Sequence, residues 1–224
     1  MPSFRTLSVT LTLSSALALS LAACGGKGAA RPRPADGTPY AGVFVDRPAA
    51  TYRYVSRSSM YDPDDPRADA NGQVVDQVEG TVVCATVTRS VAAWLLAEIV
   101  CTGADGAGVL AQLDATFAAG PAGIWRLTAD ETADAAGLAV VAARPPLLAA
   151  RPIPVDDKHE EEGGSFGEFR KVHADGAAWC VETGSWGGDE GGDGICFEAA
   201  RGITKVTTYF AGGSTKDESL ELVE

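Results

Sequence analysis

Five cysteines constrain this chain more than any other feature: Cys24, Cys84, Cys101, Cys180 and Cys196. Four of them form two evenly spaced pairs, with 16 residues between Cys84 and Cys101 and 15 between Cys180 and Cys196. An odd count leaves one thiol over in an oxidising compartment, and Cys24, far from the rest, is the odd one. The remaining four allow three connectivities. The matched spacing favours Cys84 with Cys101 and Cys180 with Cys196. Each bridge would close a short local loop and contribute roughly 3 kcal/mol in the chain-entropy model. A four-cysteine zinc site is the competing use, but zinc ligands sit about two to four residues apart within each pair. No metal or cofactor is expected.

Cys24 ends an apolar run. Met1 to Arg5 carries one positive charge and no acid, and Leu7 to Ala23 is rich in Leu, Ala, Ser and Thr. This is the layout of a signal peptide over residues 1–23. The run is too short and too diluted by hydroxyls for a permanent span. The segment Leu21-Ala22-Ala23-Cys24 resembles the lipobox of bacterial lipoproteins. That resemblance implies cleavage before Cys24, acylation of its thiol and new amino group (palmitate chemistry), and attachment to a membrane through that lipid. Two or more acyl chains anchor stably where one does not. Gly25 stands where an Asp would imply retention at the inner membrane, so the resemblance implies the outer membrane of the cell envelope, facing the periplasm or the surface. Residues 24–39 are rich in Gly and Pro and read as a flexible tether.

Loss of Arg5 leaves 17 basic against 30 acidic residues, a net charge of −13 for the mature chain. That balance opposes nucleic acid as a partner. With 26 Gly, 12 Pro and 7% aromatics, short strands and turns are favoured over long helices. Residues 40–224 read as one mainly β domain. The expected fold is an antiparallel curved sheet, half-barrel or sandwich built from two disulfide-stapled meanders, with at most one or two short helices.

Strands are predicted over Ala50–Ser56, Val74–Val87 (one or two), near Cys101, Val109–Phe117, Gly123–Leu127, Phe166–His173, Ala178–Glu182, Ile195–Ala199 and Ile203–Phe210. Ala92–Leu96 could form a helical turn. Asp217–Glu224 is predicted as a final edge strand. Thr128-Ala129-Asp130-Glu131 matches a capping box and predicts a helix from Ala129 to Ala142, ended by Arg144-Pro145-Pro146. Residues 143–164 are predicted as an exposed connection. An internal repeat pairs about 40–142 with 165–224. Gly80, Cys84, Cys101, Gly108-Val109 and Phe117-Ala118-Ala119-Gly120 align with Gly176, Cys180, Cys196, Gly202-Ile203 and Phe210-Ala211-Gly212-Gly213.

Catalytic patterns are thin. Gly163-Gly164-Ser165-Phe166-Gly167 matches the G-x-S-x-G of serine hydrolases, but that motif acts on a turn between a buried strand and a helix. Lys158 to Glu162 is no buried strand, so a hydrolase using Ser165 and His173 is a remote expectation. Asp189 to Asp193, with its glycines, offers oxygens for a weak calcium site, but the EF-hand pattern fails and a hairpin tip is the simpler reading. Trp186 in that loop covers either a ligand or the hairpin. His159 and His173 stand alone. The expected function is therefore non-catalytic binding or scaffolding with an envelope protein partner. The alternative is a carrier of a lipid or other apolar ligand, since the outline is loosely similar to half-barrel carriers of the lipoprotein-localisation type.

Overall fold

A computed structural model describes residues 43–103, 108–160 and 165–223. Cys24, the lipobox and the tether lie outside them. The described strands are β1 Arg47–Tyr61, β2 Gln73–Val91, β3 Trp94–Thr102, β4 Thr116–Gly120, β5 Gly123–Arg126, β6 Leu148–Ala149, β7 Val155–Glu160, β8 Gly167–Asp175, β9 Ala178–Trp186, β10 Glu190–Glu198, β11 Gly202–Ala211 and β12 Ser214–Val223, with helices α1 Gly108–Leu113 and α2 Ala135–Val141. All twelve strands join one antiparallel sheet in the order β6-β5-β4-β3-β2-β1-β12-β11-β10-β9-β8-β7. The chain therefore enters mid-sheet, runs to one edge, crosses to the other and returns to the middle.

That crossing dictates the shape. A flat sheet of twelve strands would be about 53 Å wide at about 4.8 Å per spacing. Its two edges, Ala149 of β6 and Val155 of β7, are joined by residues 150–154, a reach of at most about 22 Å. The sheet must curl, and it forms a half-barrel. The seam is bridged by Arg170 of β8, whose guanidinium donates to the Leu147 carbonyl at 2.9 Å.

Alternation along the strands gives the sheet an inner and an outer face. The inner face holds the main core, including Tyr52, Val82, Ile99, Phe117, Val206 and Leu220. Phe44, Phe117 and Phe197 meet across the interior with ring centroids 5.7–6.2 Å apart. Helix α1 plugs the same space, with Val109 and Leu113 fully buried against β3, β11 and β12. The Tyr52 hydroxyl donates to the Ile203 carbonyl at 2.8 Å, and burial pushes its pKa up to about 12. On the outer face, α2 packs Leu138 and Val141 over Leu96, Ala118 and Trp125 of β3–β5.

Both disulfides form as the spacing predicts, each between directly paired residues: Cys84 with Cys101 across β2–β3, and Cys180 with Cys196 across β9–β10. The two halves then diverge. Cys84 belongs to the inner core, whereas Cys180 and Cys196 form a separate cluster with Ala178 on the outer face. Gly108 opens a helix while Gly202 opens a strand. Phe117 is fully buried and Phe210 is 42% exposed.

Several local expectations are corrected. Val109–Phe117 is not one strand: Val109 and Leu113, four apart, share the buried face of α1, and β4 starts at Thr116. The capping-box residues close a turn rather than open a helix. The Glu131 carboxylate accepts from the Thr128 N–H at 2.7 Å, but α2 begins at Ala135, where Asp134 accepts from the Gly137 N–H at 2.8 Å. Residues 143–164 are not merely a connection, because they supply both edge strands, β6 and β7, and Leu148 is fully buried. The last strand is not an edge: β12 lies mid-sheet, paired with β1 and β11. Ala92 and Ala93 form a tight turn, with Ala92 at φ 52°, and not a helical one.

Candidate binding surface

Helix α2 covers the outer face of β3–β5. The outer face of β8–β12 carries no helix among the described residues, and the local sequence gives it an unusual relief. Gly167, Gly184, Gly192 and Gly194 fall on outward positions of β8, β9 and β10. Glycine in a strand interior costs roughly 0.5–1 kcal/mol, so four in one patch need a reason. Three of them lie beneath aromatic rings. A Cβ on Gly184 would sit 2.7 Å from the Phe169 ring, one on Gly167 2.7 Å from the Trp186 ring, and one on Gly192 2.8 Å from the Tyr209 ring. Phe169, Gly184, Gly192 and Tyr209 follow one another across β8, β9, β10 and β11 in register. The two end rings lean inward over the glycines between them.

Beside Tyr209 a cleft of about 380 Å³ is lined by Val55 and Arg57 of β1, Thr207 and Tyr209 of β11, and Asp217 and Ser219 of β12. A smaller depression of about 120 Å³ adjoins it through Thr207 and lies against His173, Glu182, Lys205 and the Cys180–Cys196 bridge. Polar groups surround this relief. Glu182 stands 3.7 Å from His173 Nε2 and 3.9 Å from Lys171 Nζ, and Lys205 pairs with Glu221 at 3.3 Å. Burial, aided by the negative charges of Glu190 and Glu182, raises the Tyr209 hydroxyl above its ordinary value. Among the described residues, two buried side-chain nitrogens lack hydrogen-bond partners, His173 Nδ1 and Trp186 Nε1, and both belong to outward-facing residues of β8 and β9.

In the other large depression, about 620 Å³, Arg126 and Glu131 are already engaged by neighbouring residues. Arg126 bonds to Gln112 and to the Ala111 carbonyl, and Glu131 is held by Arg144 at 2.9–3.0 Å. Those bonds, Arg144 first, keep the Glu131 carboxyl below its usual value despite opposing burial.

On the inner face, one carboxylate is almost fully buried. Glu218 of β12 accepts from the Tyr54 hydroxyl at 2.7 Å and from the Val109 N–H of α1 at 3.3 Å, and it pairs with Lys216 at 3.1 Å. Burial alone would raise this carboxyl, but Tyr54, Lys216 and Val109 together hold it below the ordinary value. Glu218 thereby fastens α1 to both central strands.

The structure separates the hydrolase candidates. Ser165 lies exposed before β8, and His173 lies within β8 on its outward side. The six residue steps of β8 from Gly167 to His173 alone span about 20 Å between them. No helix follows Ser165. His159 sits on the edge strand β7 opposite Glu168. A hairpin tip does lie between β9 and β10, but it is Gly187 to Asp189; Glu190 to Asp193, expected in the loop, already belong to β10, and Trp186 belongs to β9. Trp186 was singled out by sequence; Phe169, Tyr209, Glu182 and Lys205 were not, because their grouping depends on register. No protein-family model matches this chain, and no curated protein matches it in sequence.

Proposed function

We propose that this protein is an envelope lipoprotein, tethered through a lipid on Cys24, that binds a partner or ligand without chemistry on the outer face of β8–β12. The observation that carries the reading is the contrast between the two faces. The inner face, where an apolar cargo would sit, is occupied by α1 and by Phe44, Phe117 and Phe197. The uncovered outer face offers clefts with aromatic and ionic walls, the composition from which binding sites draw affinity and orientation. The distance between Ser165 and His173 supports a binding role over hydrolysis. The lipobox-like Leu21-Ala22-Ala23-Cys24 and the two disulfides fit export to an oxidising compartment.

Two measurements test this. Mass spectrometry of the mature N-terminal peptide should find an acylated Cys24, and Cys24→Ser should abolish membrane fractionation; a bare N-terminus in a freely soluble protein overturns the anchor. A photo-crosslinker placed at Thr207 or Ser219 in cells should give adducts that one at Val100, on the outer face of the other half, does not. Equal labelling at all three positions overturns the binding face.

A further inference from the structure

We infer that the aromatic patch over the glycines of β8–β10 is a saccharide-binding platform, with Phe169, Trp186 and Tyr209 stacking on the faces of sugar rings. The inference rests on the outer face being the binding face and deepens that reading by naming the ligand class. Three aromatic side chains on one sheet face each take the space above a neighbouring glycine, so they form a layer on the sheet instead of projecting from it. A ring held in this way offers a π face, with negative charge, to polarised C–H groups. The apolar faces of pyranose rings present such groups.

The charges around the patch argue against an anionic ligand. Arg53, Arg57, Lys171 and Lys205 stand among Asp175, Glu182, Glu190, Asp217 and Glu221, all on outward positions. The slight acidic excess disfavours an anion, while donors and acceptors alternate at the rim, as a ring of hydroxyls requires. The backbones of Phe169 and Tyr209 lie three strand spacings apart, about 14 Å, with the rings leaning towards each other. That span suits an oligomer better than a single sugar. The adjoining cleft along Thr207, Tyr209 and Ser219 continues the track towards β1. The partnerless nitrogens of Trp186 and His173 lie on the same two strands.

The test uses the full chain in detergent micelles, titrated with a hexamer of glucose, one of N-acetylglucosamine and one of galacturonic acid. The expected result is saturable binding of a neutral hexamer, by calorimetry, and protection of Trp186 from oxidation in the complex. Phe169→Ala and Tyr209→Ala should each weaken binding about tenfold, the loss of one ring contact, while Val100→Ser leaves it unchanged. Absence of binding by every hexamer overturns the inference. So does binding of the uronate alone, or binding without Trp186 protection. The protection assay needs no variant, so an alanine replacement that fails to fold leaves the test intact. Crosslinks at Thr207 and Ser219 without any saccharide binding would retire the ligand class and keep the binding face; failure of both retires both.

Discussion

Removing the two disulfides one at a time separates the two things each of them does. The loops they close are nearly equal, with sequence separations of 17 and 16, so the loss of denatured-state constraint is about 3 kcal/mol for either. Packing distinguishes them. Cys84 sits in the inner core, so alanine at Cys84 and Cys101 leaves a void among Val82, Ile99 and their neighbours. A gap about the size of a methyl group adds about 1 kcal/mol. Cys180 and Cys196 belong with Ala178 to a small outer cluster beside an open depression, where solvent can relax into the space. The Cys84→Ala/Cys101→Ala pair is therefore expected to lose about 4 kcal/mol and the Cys180→Ala/Cys196→Ala pair about 3. Urea unfolding followed by circular dichroism, with a shared slope, measures both. Because domains of this kind hold only about 5–15 kcal/mol in total, the fourfold variant should be largely unfolded at 37 °C. A larger loss from the outer pair, or losses well under 1 kcal/mol from either, would refute the assignment of faces and loop terms.

Two further outcomes follow from single residues. Glu218 is held below its ordinary pKa in the fold, so the unfolded chain takes up its proton first; the stability it provides is complete above about pH 4.5 and is lost as pH falls through the folded value. The melting-temperature gap between the wild type and Glu218→Gln should shrink on acidification, and a gap independent of pH would count against the latch. Gly187 has φ 98°, and a Cβ there would collide with the Ser165 carbonyl oxygen. Gly187→Ala should cost about 1–3 kcal/mol and loosen the β9–β10 tip, read as faster amide exchange at Trp186.

What the sequence revealed divides along physical lines. Hairpins close locally, so cysteine spacing and Val/Thr-rich runs located β2, β3, β9 and β10. The run Val109 to Leu113 failed because a six-residue helix and a short strand both offer apolar residues at compatible intervals, and only tertiary contact with β3, β11 and β12 selects the helix. Thr128 and Glu131 do form half of the predicted capping interaction, yet Asp134, three residues further on, governs where α2 begins. The mid-sheet place of β12 depends on its long-range pairing with β1, which leaves no periodic mark, whereas β7 pairs locally with β8 but its Val-Asp-Asp-Lys-His-Glu run reads as a charged loop. The candidate surface was legible only through Trp186, since Phe169 and Tyr209 converge on glycines from strands that meet in space.

The mid-sheet pairing of β1 with β12 sets the timetable of folding. Thr51 opposite Val223 is the kind of distant contact that slows folding most. Until Ser214 to Val223 has been added, β1 keeps one unpaired margin, α1 lacks the Glu218 carboxylate, and the hairpins already stapled by sulfur have no common spine. A premature stop a dozen residues before Glu224 would thus be as damaging as one far earlier.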